Sequence, residues 1–184
     1  AMNENVYNYS ALGEWGGQQE GLIYAYWKIC DKMSDGAEII YGMDFGFNHP
    51  TALTRVGIKE NQLFVDEALY KSGLTNSDLM KELKRMNIGS KVIYCDAAEP
   101  QRIEELYRAG FNAKPAQKEK DSVKKGIDKI QSMEMFVTAD SSNLIKELNN
   151  YVWAKDKYGK PLDEPVKFND DGVDSFRFAV HTPL

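Results

Sequence analysis

The chain is 184 residues long, 42% hydrophobic and 28% charged, with a formal net charge of −5. That suits one domain with a real core; its apolar runs are too short to cross a bilayer, and its acidity excludes a protein that coats nucleic acid by bulk positive charge, though not an enzyme that meets phosphates through metal ions. The opening "AMNENVYNYS" lacks the basic and apolar regions of a secretory signal, and Cys30 and Cys95 form no CxxC pattern, so they read as buried thiols of a reducing compartment.

Residues 1–37 read as a lead-in, polar and glycine-rich at first, then apolar enough in "LIYAYWKICDKM" to pack against something. Gly16 and Gly21 have the spacing of P-loop glycines, but Leu22 and Ile23 follow where Lys and Ser/Thr are required, which excludes a nucleotide cradle. From residue 38 the pattern sharpens. "AEIIYGMDF" reads as a buried strand, and "TALTRVGIK" and "QLFVDEALY" as strands joined by a tight turn at Glu60 and Asn61. "TNSDLMKELKRMN" predicts a helix capped by Thr75 or Asn76, with Leu79, Leu83 and Met86 on one face. "KVIYCD" is a short buried strand. "EPQRIEELYRAG" is a helix with Pro100 in its first turn and Gly110 as its stop. "DSVKKGIDKIQSM" predicts a helix, "EMFVT" a strand, and "SSNLIKELNNYVW" a helix with a serine cap. "WAKDKYGKPLDEPVKF" reads as a hairpin or loop excursion turning at Tyr158 and Gly159, and "DDGVDSFRFAV" starts a final helix with acids at its N-terminus. Three early strands on short turns predict an antiparallel meander. The later strands, arriving through helices, should add in parallel, giving a mixed α/β sheet with helices on both faces.

Two apolar strands end in aspartate, "IIYGMD" at Asp44 and "VIYCD" at Asp96. Each acid alone reads equally well as a turn residue or helix cap. On neighbouring strands the two would repel and raise each other's pKa unless a cation lay between them. Asp171 and Asp174, spaced i, i+3, share one face of the last helix, while Asp170 points elsewhere. Val173, Phe176 and Val180 give that helix an apolar stripe for packing on the sheet. Acids from three segments would then converge on an all-oxygen site, which suits Mg²⁺ or Mn²⁺ rather than zinc. Two such ions about 4 Å apart clamp a phosphodiester, one activating water and the other stabilising the leaving oxygen. His49, in the loop after Asp44, is placed to approach this site. His181 reads as a packing or surface residue.

Residues from about 11 to 180 resemble the C-terminal nuclease domain of phage terminase large subunits. The resemblance rests on "LGEWG", "EGLIY", "YGMDFGFNHPTAL", "VDEALYKSGLT", "VIYCDAAEPQRIEEL", "NLIKELNNYVW" and "DDGVDSFRFA", in that order. It implies an RNase H-like (retroviral integrase-like) fold and metal-dependent endonuclease cutting of concatemeric viral DNA. The family's acids fall on Asp44, Asp96 and Asp174, and Asp171 stands where members often carry a histidine or an acid. A lysine near the active site is placed on Lys118. The resemblance further implies two Mg²⁺ or Mn²⁺ ions, double-stranded DNA as substrate and an ATPase domain before residue 1. The small terminase subunit and portal protein follow as partners, with action in the host cytoplasm.

Other RNase H-like nucleases, such as resolvases or transposases, would share the acids, but the lead-in and "GLT" tilt away from them. An actin-like ATPase or sugar kinase also opens on a Gly-x-Asp-x-Gly turn, as "GMDFG" does, yet a later phosphate loop is missing. Glu67 is weighed equally as a residue behind the ligands and as a solvent-facing strand acid. Arg177 reads first as an ordinary salt bridge. The run Lys114, Lys118, Lys120, Lys124 and Lys125 suits a DNA backbone or a solvated helix face equally, and Tyr151, Trp153 and Tyr158 read as packing residues.

Overall fold

The computed structural model describes residues 21–183. The Gly16 half of the P-loop spacing and the "LGEWG" stretch lie outside the described residues. In chain order the elements are β1 (Trp27–Cys30), β2 (Glu38–Asp44), β3 (Thr51–Lys59), β4 (Gln62–Lys71), α1 (Asn76–Arg85), β5 (Ile93–Cys95), α2 (Pro100–Arg108), β6 (Ala113–Pro115), α3 (Ser122–Gln131), β7 (Glu134–Thr138), α4 (Ser142–Leu148), β8 (Trp153–Lys155), β9 (Pro161–Pro165) and α5 (Asp171–His181).

The long β-branched and aromatic runs of β2, β3 and β4 form the expected antiparallel meander. A bulge falls between Leu53 and Thr54, where β4 skips Ala68 in the register. The strands that arrive through helices pair in parallel: β5 on β2, β6 on β5, and β7 between β4 and β1. The sheet order is β1-β7-β4-β3-β2-β5-β6. Period-two alternation sends residues of the same strand into two separate cores. On one face Ile40, Val56 and Val65 pack under Ile127 and Ile130 of α3, Leu144 and Leu148 of α4, and Val173 and Phe176 of α5. On the other, Met43, Leu53 and Ile93 pack under Leu79 and Leu83 of α1 and Ile103 and Leu106 of α2. Thr75 closes a capping box with Asp78 at the start of α1, and Pro100 opens α2.

Three boundaries differ from the sequence reading. The folded unit begins before residue 38: β1 pairs with β7, and Ile23, Tyr24 and Trp27 are buried in the first core. The apolar half of the lead-in is therefore part of the domain. Secondly, α4 stops at Leu148 instead of continuing through "NNYVW". After Asn149 and Asn150, both poor helix formers, the chain turns to pair with that lead-in. Ile23 N–H donates to the Tyr151 carbonyl at 2.8 Å and Trp153 N–H to the Gly21 carbonyl at 3.0 Å. Thirdly, β6 extends the sheet edge in a stretch too short to show periodicity. The "WAKDKYGKPLDEPVKF" excursion is a hairpin, β8 with β9, outside the main sheet. Its Tyr158 is 83% exposed rather than packed, whereas Tyr151 is buried and stacks on Tyr24.

Candidate metal centre

β2 and β5 run side by side with Met43 opposite Cys95, and the Asp96 N–H donates to the Met43 carbonyl at 3.0 Å. The next residue on each strand is an aspartate. Asp44 and Asp96 therefore leave the same end of the sheet as neighbours, above a layer in which Met43 and Cys95 are fully buried. Asp96 Oδ1 accepts the Ala98 N–H at 3.0 Å, an Asx turn that aims the chain into α2.

α5 supplies the third acid. Its backbone lies directly on β2 at Gly42, where a Cβ would sit 1.7 Å from the Ser175 carbonyl oxygen. Gly42 thus sets the distance between helix and strand. Ser175 Oγ donates to Thr54 Oγ1 of β3 at 3.0 Å, which pins the helix rotation. With Ser175 facing the sheet, Asp174 faces a cleft of about 260 Å³ that Asp44, Asp96, Lys118, Lys167 and Arg177 also line.

The cleft is strongly acidic at its base. Burial, followed by the charges of Asp174, Asp96, Asp171 and Asp170, pushes the Asp44 carboxyl up to about 8. Two cations hold Asp174. Arg177 donates to Oδ1 at 2.7 Å and Lys167 to Oδ2 at 3.0 Å. Arg177 is 5% exposed, so its guanidinium is fixed; Lys167 is 61% exposed and also lies 3.2 Å from Asp170 Oδ2.

The expected residues are thus partly assembled. Asp44, Asp96, Asp174 and Lys118 share one cleft, while Asp171 does not line it. Burial and the neighbouring Asp170 push the Asp171 carboxyl up; its own N–H and the charge of His49 oppose this. Among the described residues no three acid, histidine or cysteine side chains form a ready-made ligand cage. Asp174 must turn from Lys167 before it can share an ion. The donors available are nonetheless all oxygens, which fits a hard divalent cation. Such an ion would also favour the charged form of Asp44, which its carboxylate neighbours disfavour.

Sequence reasoning missed Lys167, which stands in the loop after β9 with no motif to mark it. Arg177 was legible from its i, i+3 spacing to Asp174. Glu67 is half-buried, and its carboxylate takes the Leu144 N–H and the Asn143 amide at the start of α4. Of the basic run, Lys118 lines the cleft. Lys124 pairs with Asp128 and Lys125 lies 3.6 Å from Glu119, as on a solvated helix face.

A mixed sheet with acids on two adjacent parallel strands, and a third on a helix packed across them, defines the RNase H-like class of fold. Residues 44–182 match the model of the terminase RNase H-like domain, and the chain belongs to that family. It is 25% identical over 143 residues to the PBSX phage terminase large subunit of Bacillus subtilis (strain 168), a match over 76% of this chain and 33% of that protein. The chain therefore spans about a third of the length of that curated relative. The nuclease domain of the g2p large terminase from bacteriophage SPP1, solved with bound Mn, superposes with a TM-score of 0.75 at 23% identity, over 85% of this chain and 96% of that one. The large terminase nuclease from thermophilic phage G20c, solved with bound magnesium, gives a TM-score of 0.59 at 21% identity, over 83% and 85% of the two chains. The expected fold is borne out, and the actin-like reading of "GMDFG" gives way to it. Among the described residues no helix is long and apolar enough to cross a membrane.

Proposed function

We propose that this chain is the metal-dependent endonuclease domain of a viral DNA-packaging terminase, cutting concatemeric double-stranded DNA by phosphodiester hydrolysis. One observation carries the reading: Asp44 and Asp96 emerge together from adjacent parallel strands into a cleft that Asp174 completes from α5. The metals named for the SPP1 and G20c relatives agree with the oxygen donors here.

Asp44, Asp96 and Asp174 would hold two Mg²⁺ or Mn²⁺ ions, with Asp171 serving from the flank. When bound, such ions activate water and stabilise the leaving oxygen. The chain's own residues set the rest. Arg177 fixes one oxygen of Asp174, and Lys167 would yield the other to an ion. Lys118 and Lys167 put positive charge on the cleft wall, where a phosphate backbone would pass. An ATPase domain of the same polypeptide, the small terminase subunit and the portal protein would bring DNA to this cleft in the host cytoplasm.

The test is plasmid cleavage by this domain in Mg²⁺, Mn²⁺, Ca²⁺ or EDTA. Cutting is expected with the first two and not in EDTA. Ca²⁺ should bind but support little cutting, because its looser coordination positions the reacting oxygens poorly. Cleavage that persists in EDTA would contradict the reading.

A further inference from the structure

α5 carries Asp171 and Asp174 in its first turn, yet its N-cap residue does not cap it. Asp170, at the N-cap position, makes no side-chain cap hydrogen bond. A helix leaves its first backbone N–H groups without intrahelical partners, and nearby acids ordinarily bend back to accept them. Here the Val173 N–H donates to Glu147 Oε2 at 2.8 Å, a side chain from the last turn of α4. Glu147 is only 5% exposed, and its Oε1 accepts the Tyr70 hydroxyl at 2.6 Å. The approach is tight: a Cβ at Gly172 would lie 3.0 Å from Glu147 Oε2, so the carboxylate would have to give by a few tenths of an ångström.

The same device appears one helix earlier. Glu67 of β4 accepts the Leu144 N–H and the Asn143 side-chain amide, each at 2.7 Å, and its own N–H donates to Ser141 Oγ at 2.8 Å. β4 thus holds the start of α4, and the end of α4 holds the start of α5. Both links are buried or half-buried carboxylates, whose charge-assisted bonds to N–H groups are short and directional.

We propose that Glu147 is a positioning residue for the metal centre. By capping α5 from α4, outside the cleft lining, it fixes the helix's first turn and with it the place of Asp174 on the cleft. What the centre does rests on the nuclease reading above; the capping role does not.

The experiment compares the parent domain with Glu147→Ala, Glu147→Gln and Gly172→Ala. Three quantities are read: Mn²⁺ binding by calorimetry without DNA, hydrogen exchange at the Val173 amide, and melting in EDTA. Glu147→Ala should expose the Val173 amide to faster exchange and weaken Mn²⁺ binding roughly 10–100-fold, as for other groups that orient a ligand. Glu147→Gln keeps an acceptor oxygen and should stay near the parent, with Gly172→Ala between. Parent-like Mn²⁺ affinity and Val173 exchange in Glu147→Ala would overturn the proposal, as would a Gln variant as impaired as the Ala one. Should Glu147→Ala fail to fold, Glu147→Gln decides: it should keep parent-like Mn²⁺ affinity and Val173 exchange, and weakened binding with fast Val173 exchange in it overturns the proposal. A parent that binds no Mn²⁺ contradicts the nuclease reading instead, and Val173 exchange then decides the capping role by itself.

Discussion

Asp96 is tied to the strand of Asp44 by a backbone hydrogen bond, its N–H to the Met43 carbonyl at 3.0 Å, so the backbones that carry the two carboxylates cannot separate without breaking the sheet. Their proximity is a property of the parallel pairing of β2 and β5, not of a loop. This rigid pair meets a third acid that is held by side chains alone, and the difference governs how each should respond to change.

Asp44 should make the metal-free domain less stable as pH rises. Its folded pKa of about 8 lies above the ordinary 3.8, so between those values the folded chain keeps a proton that the unfolded chain has lost. Stability therefore falls across that window as the proton is given up. Glu147, raised to about 7 mainly by burial, acts in the same direction. Asp44→Asn should flatten the profile, and its melting advantage over the parent, a few degrees, should be greatest at and above about pH 8. Melting curves in EDTA across this range check it; an advantage that is largest in acid would be the wrong sign. Mn²⁺ affinity of the parent should rise over the same interval, since the ligand must be a carboxylate.

The two cations on Asp174 should behave differently. Lys167 is exposed and competes for the oxygen an ion would use, so Lys167→Met should bind Mn²⁺ several-fold more tightly with little change in EDTA stability. Arg177 is buried, and Arg177→Met leaves Asp174 without its fixed partner, at a cost on the order of 3 kcal/mol. Calorimetry with Mn²⁺ and denaturant unfolding separate the two effects. Weaker Mn²⁺ binding in Lys167→Met would show that the lysine helps hold the site together rather than competing for it.

Asp171 lies outside the cleft lining. Asp171→Asn should lower cleavage and raise the Mn²⁺ concentration needed, without abolishing cutting. Asp171→His should retain substantial activity. A metal titration of plasmid cleavage reads both, and complete loss in Asp171→Asn would put Asp171 among the indispensable ligands.

The meander, the parallel additions and the two-faced helix cover were legible because each strand shows its own alternation and each crossover its helical period. Asp44 and Asp96 were legible for a simple reason: a carboxylate closing an apolar strand needs a partner. Gly42 in the middle of β2 admits the backbone of α5, and Gly46 admits the His49 and Pro50 carbonyls of the turn that follows. What could not be read were relations set by tertiary approach. Lys167 reaches Asp174 from the loop between β9 and α5, Glu147 caps a helix through an N–H 26 residues further along the sequence, and residues 21–23 pair with 151–153. β1 was hidden because four residues are too few to separate a strand from an apolar lead-in.

The most direct test of the account is plasmid cleavage in Mn²⁺ by the parent, Asp44→Asn and Asp96→Asn, each shown folded by its melting curve in EDTA. Each substitution keeps the side-chain shape and removes one negative charge from the strand-end pair. The account predicts cutting by the parent and a loss of several orders of magnitude in both variants, with the fold intact. Cleavage at the parent rate by either folded variant would contradict it.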